Sequence, residues 1–411
     1  MKEAWIIDAV RSPRAIGKPG KGAYASVHPQ RLLSQVLAAL AKRNNLNTAE
    51  VDDVIIGCNF QVQKQGNCIA RMSALDAGYH VNASGVALDR FCGSGITSVN
   101  MAATSIMAGF EDLIVAGGVE MMSYSASMPR TGVHIDGNNL HLREMHPMGN
   151  VGLSADIIAK EEGITREQLD RFGVESQRKA AAAIEKGYFK KSLIPIYKDD
   201  GTLALDHEEY VRPGTTYEAV SQLKPSFGAL MDVPLDDTGL TFRKLINQRW
   251  PGLEFEHVHH AANSSGVVDG AGALLLASPE YAKAHGFKPR AKVIMTSNSG
   301  GSPPHILNQP GPAAKKALAR AGMSVKDIDL WEVNEAFAVV VLKFLKDLDV
   351  DPAKVNVNGG SIALGHPIGA TGSLLIGTAI DELERADKST ALITMCAAGG
   401  MAPAVIIERM N

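Results

Sequence analysis

Aromatic side chains are scarce in this 411-residue chain, at 5% of positions. A core with few rings is filled by aliphatic residues and by close backbone approach, which the 40 glycines permit. Cysteine is sparser still. Cys58, Cys68, Cys92 and Cys396 are too few and too scattered for a disulfide scaffold, and no C-x-x-C pair suggests zinc. A reducing compartment, the cytoplasm, is the expectation. There is no excess of basic charge: 41 Lys and Arg face 44 Asp and Glu, for a net charge of −3. That balance argues against nucleic acid as a partner, although a local basic patch for a small anion remains open. No apolar stretch reaches the length of a membrane span. Met1 to Ile7 lacks the apolar run of a signal peptide, and Glu408 to Asn411 matches no retention or peroxisomal address.

What is present reads as an ordinary globular protein, 45% hydrophobic and 21% charged, long enough for two or three domains. Trp5 to Val10 and Leu113 to Gly118 read as buried strands, and Val51 to Gly57 as another strand. Pro29 to Lys42 and Gly95 to Gly109 carry helical patterns, the second apolar nearly all round. Alternating strands and helices predict a layered α/β fold. From Met121 to about Trp250 the chain is richer in charge, Pro and Gly, with one strong helical stretch from Leu153 to Lys186 broken near Gly163 and Thr165. This section reads as an inserted lid or loop domain, and the α/β pattern resumes at His257.

The chain also repeats itself. Asn47 to Gly57 resembles Ser324 to Asn334, the Phe91 to Gly95 turn resembles His366 to Gly372, and Leu113 to Gly118 resembles Leu392 to Gly400. Two similar halves can bring the Cys92 loop and the His366 loop to one cleft.

Cys92 lies in Arg90-Phe-Cys-Gly-Ser-Gly95, ahead of the apolar helix. The positive end of a helix favours a thiolate, so a lowered pKa and a usable nucleophile are expected there. Taken alone, the same residue fits a buried small hydrophobe equally well. His366, among five glycines and a proline, can take a proton or donate to an oxyanion; it can also be a turn residue. Cys396 follows a strand and precedes a Gly pair, a setting for an acid or base. Asn334 opens Asn-Glu-Ala-Phe-Ala338, and by spacing alone reads as a plain helix cap. Cys58 and Cys68 read as structural. His257 and His259 read as one face of a strand rather than half a metal site.

Together these segments resemble the thiolase family over almost the whole chain, from Asp8-Ala-Val-Arg-Ser-Pro-Arg14 to Gly399-Gly-Met401. Asn334-Glu-Ala-Phe-Ala338 and Gly359 to Gly372 are the most specific matches; Gly117-Gly-Val-Glu120, Met122-Ser123, Asn263-Ser-Ser-Gly266 and Asp269-Gly270 add to them. The resemblance implies a five-layer αβαβα fold: an N-terminal half of residues 1–120 with 251–278, a loop domain of 121–250 inserted in it, and a C-terminal half of 279–411. It implies thiolysis of 3-ketoacyl-CoA, or the reverse Claisen condensation, in fatty acid metabolism such as β-oxidation. Cys92 would carry the acyl group, His366 would take its proton, and Cys396 would move a proton at the acetyl α-carbon. Asn334 would hold a water that, with His366, stabilises a thioester oxygen; the N–H groups of Cys92 and Ala398 would form a second oxyanion hole. Coenzyme A contacts map to Arg212 at the nucleotide end, Ser265 on the pantetheine arm, and Phe227, Ala261, Ala336 and Phe337. Coenzyme A and acyl-CoA would be substrates, with no tightly bound cofactor and no metal, and the assembly a homodimer or homotetramer.

The chain departs from the family pattern in places. Asn150-Val-Gly152 stands where biosynthetic members carry His-Met-Gly, and the segment from Ser123 to Asn150 is short. Cys396-Ala-Ala-Gly-Gly400 places Ala at an oxyanion position. An extra stretch from Gly228 to Glu256 reads as a surface or oligomer-contact insertion. A ketoacyl synthase of the same fold would lack Cys396, and a non-catalytic acyl-CoA-binding relative would have lost one of the four site residues.

Overall fold

The computed structural model describes residues 2–129 and 134–410. Its main strands are β1 (Trp5–Arg11), β2 (Asp53–Gly57), β3 (Val86–Leu88), β4 (Leu113–Met121), β5 (Val268–Ala277), β6 (Ala291–Gly300), β7 (Leu330–Val333), β8 (Thr390–Thr394) and β9 (Met401–Arg409). The helices that matter below are α1 (Pro29–Arg43), α2 (Ser94–Ala108), α3 (Val151–Glu162), α4 (Arg166–Glu185), α5 (Phe242–Arg249), α6 (Pro310–Ala321), α7 (Ala338–Leu348) and α8 (Thr371–Arg385).

The strands run in the order β7-β8-β9-β6-β1-β5-β4-β2-β3. The middle junction, β6 with β1, is only two residue pairs long, so the path is two sheets joined edge to edge. Each half follows the same pattern. In the first, β5 is antiparallel to β1 and β4, and β2 is parallel to β4 and β3. In the second, β9 is antiparallel to β6 and β8, and β7 is parallel to β8 and bridges in parallel to Val355. The repeat read from the sequence is therefore a repeat of sheet position: β2 and β7 each follow a short 3-10 turn, Thr48–Glu50 or Val325–Asp327.

Strand alternation separates the layers. Val54 and Ile56 of β2 point to an outer cluster with Leu33, Val36 and Leu37 of α1. Ile55 between them points to a middle cluster that holds Ile96 and Val99 of α2 and Ile376 and Ile380 of α8. Trp331 and Val333 of β7 point to the opposite outer cluster with Ala314 of α6 and Phe344 of α7. Each outer cluster lies between a sheet and its outer helices, and the middle cluster holds the central helices between the two sheets, which makes five layers, αβαβα, as the resemblance implies. α2 and α8 are buried on nearly all sides because a sheet covers each of their faces.

The helical stretch of the central section is two helices. α3 ends at Gly163, whose φ of +66° favours glycine, and Thr165 starts α4 with a capping box closed by Gln168. The 228–256 stretch is not a simple surface addition. Met231, Phe242, Leu245 and Ile246 are buried against Leu153 and Ile157 of α3, forming a small core of their own. Arg143, itself paired with Asp136 at 2.6 Å, holds that stretch by an ion pair to Asp236 at 2.5 Å.

Two further readings are corrected. His257 and His259 lie outside any strand; both point Nδ1 at one carboxylate, Asp156, at 2.8 and 2.7 Å. Cys68 is exposed rather than structural, and caps a short helix with a φ of +52°.

Candidate active site

Cys92 lies in the connection from β3 to α2. The residue before it, Phe91, has a φ of +48°, a strained conformation for a side chain of that size. Polar groups on both sides hold the turn: the Phe91 N–H donates to Asp89 Oδ1 at 2.7 Å, and Ser94 Oγ donates to the Phe91 carbonyl at 2.6 Å while accepting the Arg90 N–H at 2.8 Å. The turn sets the half-buried Cys92 into a cavity of about 270 Å³.

The opposite wall belongs to the second half. His366, Ile368, Cys396 and Ala398 line the same cavity, together with Ser265, Gly266, Ala336, Phe337, Asn59, Met122 and Val151. The Asn263–Gly266 segment ties these pieces together. Ser265 N–H donates to the Ala336 carbonyl at 3.0 Å, Gly266 N–H to the Ser361 carbonyl at 3.1 Å, and His366 N–H to the Gly266 carbonyl at 2.8 Å. Among the described residues, the Ala397 N–H is taken by the Met401 carbonyl at 2.7 Å, whereas the Ala398 N–H has no protein acceptor.

The tautomer of His366 follows from its neighbours. Thr371 Oγ1 donates to the Pro367 carbonyl at 2.9 Å, so at 2.6 Å it accepts from His366 Nδ1–H. Nε2 of the neutral ring then carries the lone pair. Asn334 Nδ2 stands 3.4 Å from it, and Ser361 Oγ, donating to Asn334 Oδ1 at 2.5 Å, fixes the amide in that orientation. Asn334 is therefore not a helix cap: α7 begins at Ala338, with Phe337 as its cap.

Burial dominates the titration of the site. It pushes the Cys92 thiol up to about 12 and raises the Cys396 thiol further, with the Cys92 charge as a second cause. The direction is opposite to the lowering expected at a helix end, and desolvation is its largest cause. Burial, assisted by the Arg14 guanidinium, lowers His366 to about 3. These directions favour neutral thiols and a neutral imidazole, whose Nε2 lone pair can accept a proton.

Several residues that hold these loops drew no role from sequence reading. Glu120, at the end of β4, accepts the N–H groups of Asn59 at 2.9 Å, Phe60 at 3.2 Å and Gly369 at 3.0 Å, clamping the His366 loop to the first half. Glu335 accepts from Ser176 Oγ at 2.6 Å, Asn356 Nδ2 at 3.0 Å and Ile362 N–H at 3.1 Å. Asp269 accepts the Ser123 N–H at 2.8 Å and its hydroxyl at 2.6 Å. The signal for such residues is a carboxylate inside an apolar, glycine-rich run, which has to collect several donors to stay buried.

The residues mapped to coenzyme A divide between places. Ser265, Ala336 and Phe337 are in the Cys92 cavity. Arg212 and Ala261 line a separate cavity of about 180 Å³ with Tyr210 and Leu223. Phe227 packs edge-on against Phe337 at 5.8 Å between ring centres. No group of three or more His, Cys, Asp or Glu residues placed to hold a metal occurs among the described residues. Nor is any helix among them long and apolar enough to cross a membrane.

Comparison with known proteins agrees with this arrangement. Residues 4–230 match the family model described as thiolase, N-terminal domain, and residues 287–409 match thiolase, C-terminal domain. The chain is 38% identical to a steroid 3-ketoacyl-CoA thiolase of Mycobacterium tuberculosis, covering 100% of this chain and 95% of that protein. It is 36% identical to a 3-ketoacyl-CoA thiolase of Colwellia psychrerythraea and to a beta-ketoadipyl-CoA thiolase of Acinetobacter baylyi, each covered in full. A crystal structure of the Bacillus anthracis acetyl-CoA acetyltransferase superposes with a TM-score of 0.84 at 33% identity, covering 100% of this chain and 99% of the other. The chain belongs to the thiolase family. It is an enzyme, an acyltransferase.

Proposed function

We propose that this enzyme cleaves 3-ketoacyl-CoA by thiolysis, and runs the reverse condensation when flux favours it, through an acyl group carried on Cys92. The observation that carries the reading is one cavity in which Cys92 from the first half meets His366, Cys396 and Ala398 from the second.

In this reading His366 Nε2 takes the Cys92 proton as the sulfur attacks the keto carbon. A neutral thiol beside a neutral imidazole transfers its proton during attack, so no standing thiolate is needed. The N–H groups of Cys92 and Ala398 receive the oxyanion that forms. Breaking the carbon–carbon bond releases an acetyl-CoA enolate, and Cys396 returns a proton to its α-carbon. Asn334, with a water and His366, stabilises the enolate oxygen. Incoming coenzyme A then takes the acyl group from Cys92. Ser265, Ala336 and Phe337 hold the pantetheine arm, Phe227 backs Phe337, and Arg212 and Ala261 serve the nucleotide end. The free protein is a homodimer or homotetramer of the cytoplasm.

The test is thiolysis of acetoacetyl-CoA by the purified enzyme, followed as loss of the enolate absorbance. Wild type turns over; Cys92→Ser binds coenzyme A but loses turnover. Unchanged activity in Cys92→Ser overturns the assignment.

A further inference from the structure

Arg166, Asp170, Gly173 and Gln177 of α4 are spaced by four, three and four positions, so they share one helix face. That face meets the cavity of about 180 Å³ that Arg212 and Ala261 line, and Gln177 is itself part of the lining. None of the four lines the Cys92 cavity. Asp170 is fully buried. Its Oδ1 accepts from His260 Nε2 and from Asn263 Nδ2, both at 2.8 Å, and its Oδ2 from Arg166 Nε at 2.7 Å.

From this carboxylate the bonds run to two walls of the cavity. On one side His260 Nδ1 accepts the Ala262 N–H at 3.1 Å, so its proton is on Nε2, facing Asp170, and the ring holds Ala262 and its neighbour Ala261 in place. On the other side Arg166 Nη2 donates to the carbonyls of Leu223 at 2.8 Å and Val220 at 3.4 Å, two more lining residues. The rest of the face acts by close approach. A Cβ on Gly173 would stand 2.1 Å from the Ala262 carbonyl oxygen, so α4 lies directly against that backbone. Gln177 Oε1 accepts the Arg212 N–H at 2.9 Å. Arg212 is exposed, its guanidinium 5.5 Å from the centre of the Tyr210 ring, where it offers a positive charge to a phosphate.

We propose that Asp170, acting through Arg166 and His260, is a positioning residue for the nucleotide end of coenzyme A: it sets affinity for the nucleotide and takes no part in the chemistry at Cys92. This rests on the assignment of Arg212 and Ala261 to that end. Asp170→Asn turns an acceptor oxygen into an N–H2 group among three donors, so at least one bond of the hold is lost. Asn263 keeps two others, its Oδ1 accepting the His260 N–H at 2.8 Å and its Nδ2 donating to the Val258 carbonyl at 3.1 Å, so the Asn263–Gly266 segment of the Cys92 cavity stays tied. Arg166→Gln is the milder variant: its side chain is 26% exposed and it releases only the Val220 and Leu223 wall.

The experiment measures kcat and KM for thiolysis by the full chain with two substrate pairs: acetoacetyl-CoA with coenzyme A, and acetoacetyl-pantetheine with pantetheine, which lacks the nucleotide. Wild type is expected to show a kcat/KM at least roughly tenfold higher on the first pair. Asp170→Asn and Arg166→Gln are each expected to raise KM for acetoacetyl-CoA and coenzyme A roughly tenfold, with kcat changed less than about threefold. On the pantetheine pair both variants are expected to stay within about threefold of wild type, which also shows that they are folded. Unchanged KM values for the coenzyme A pair overturn the proposal, as does an equal loss on both pairs, which would make the hold purely structural. If Asp170→Asn does not fold, Arg166→Gln decides by the same criteria. Arg212→Ala tests the underlying assignment: if it leaves KM for coenzyme A unchanged, the nucleotide does not bind in this cavity and the proposal falls with that assignment. Wild type that cleaves neither thioester contradicts the thiolase reading itself, a result distinct from the others.

Discussion

A Cβ on Gly372 would stand 2.2 Å from the amide nitrogen of Ile96, and one on Gly95 would stand 3.0 Å from the amide nitrogen of Gly372. At these two glycines the N-terminal ends of α2 and α8 touch backbone to backbone. The Cys92 loop leads into one helix and the His366 loop into the other, so this crossing sets how the two halves of the site face each other. Gly372→Ala is therefore expected to destabilise the fold by at least about 1–3 kcal/mol, as overpacking does, and to lower kcat by moving the loops apart. Urea denaturation and thiolysis rates check both, and a variant as stable and active as the parent would refute the crossing's role.

The pH profile follows from burial. His366 serves as a base only when neutral, and burial lowers it to about 3. Protonation thus switches the base off only well below the range of an ordinary histidine. The Cys92 thiol, raised to about 12, stays protonated through the same range. The kcat/KM profile is expected to be free of limbs from these groups between about pH 5 and 9. An acid limb near pH 6.5 that vanishes in His366→Gln would contradict this.

Thr371 fixes the proton on Nδ1 of His366. Thr371→Val removes the acceptor and leaves the imidazole free to place its proton on Nε2, where it blocks attack. A lost buried hydrogen bond of about 1–3 kcal/mol corresponds to roughly a fivefold to hundredfold drop in kcat. Thr371→Ser is expected to restore most of it. Equal rates in Val and Ser variants would remove Thr371 from any positioning role.

Glu208 lies buried against Arg11 and accepts the Arg14 N–H at 2.8 Å. Burial alone would raise its carboxyl, yet the two guanidiniums more than offset this and hold it below its ordinary value. The unfolded chain then binds the proton more readily, so this group's stabilisation is present above the unfolded pKa and is lost as pH falls through the folded one. Glu208→Gln is expected to cost about 3–5 kcal/mol at pH 7, because it leaves buried positive charge unpaired. It should also flatten the acid limb of stability against pH. Thermal melts at several pH values give both readings.

The sequence showed the layers because each strand and helix declares its faces locally. Ile55 between Val54 and Ile56 is enough to imply apolar packing on both faces of β2. The duplicated turns at Cys92 and His366 were legible for the same reason, as glycine-rich runs at matching places in a repeat. Other features depend on contacts that no local pattern encodes. Asp156 collects His257 and His259 from about a hundred residues away, so their period-two spacing misled. Asn334 looks like a cap until Ser361 is seen to hold its amide. At Cys92 a helix end is visible in the sequence, while the desolvation that raises its thiol is not. The 228–256 stretch looked superficial because its partner, α3, carries its buried face under an unremarkable pattern.

The account turns on a sulfur of residue 92 carrying the acyl group. Intact-protein mass spectrometry after brief incubation with acetyl-CoA, followed by peptide mapping, reads this directly. One acetyl group per chain on the Cys92 peptide, removed by added coenzyme A and absent from Cys92→Ala, is expected. No adduct, or an adduct on Cys396 or Cys68 that persists in Cys92→Ala, would contradict the account.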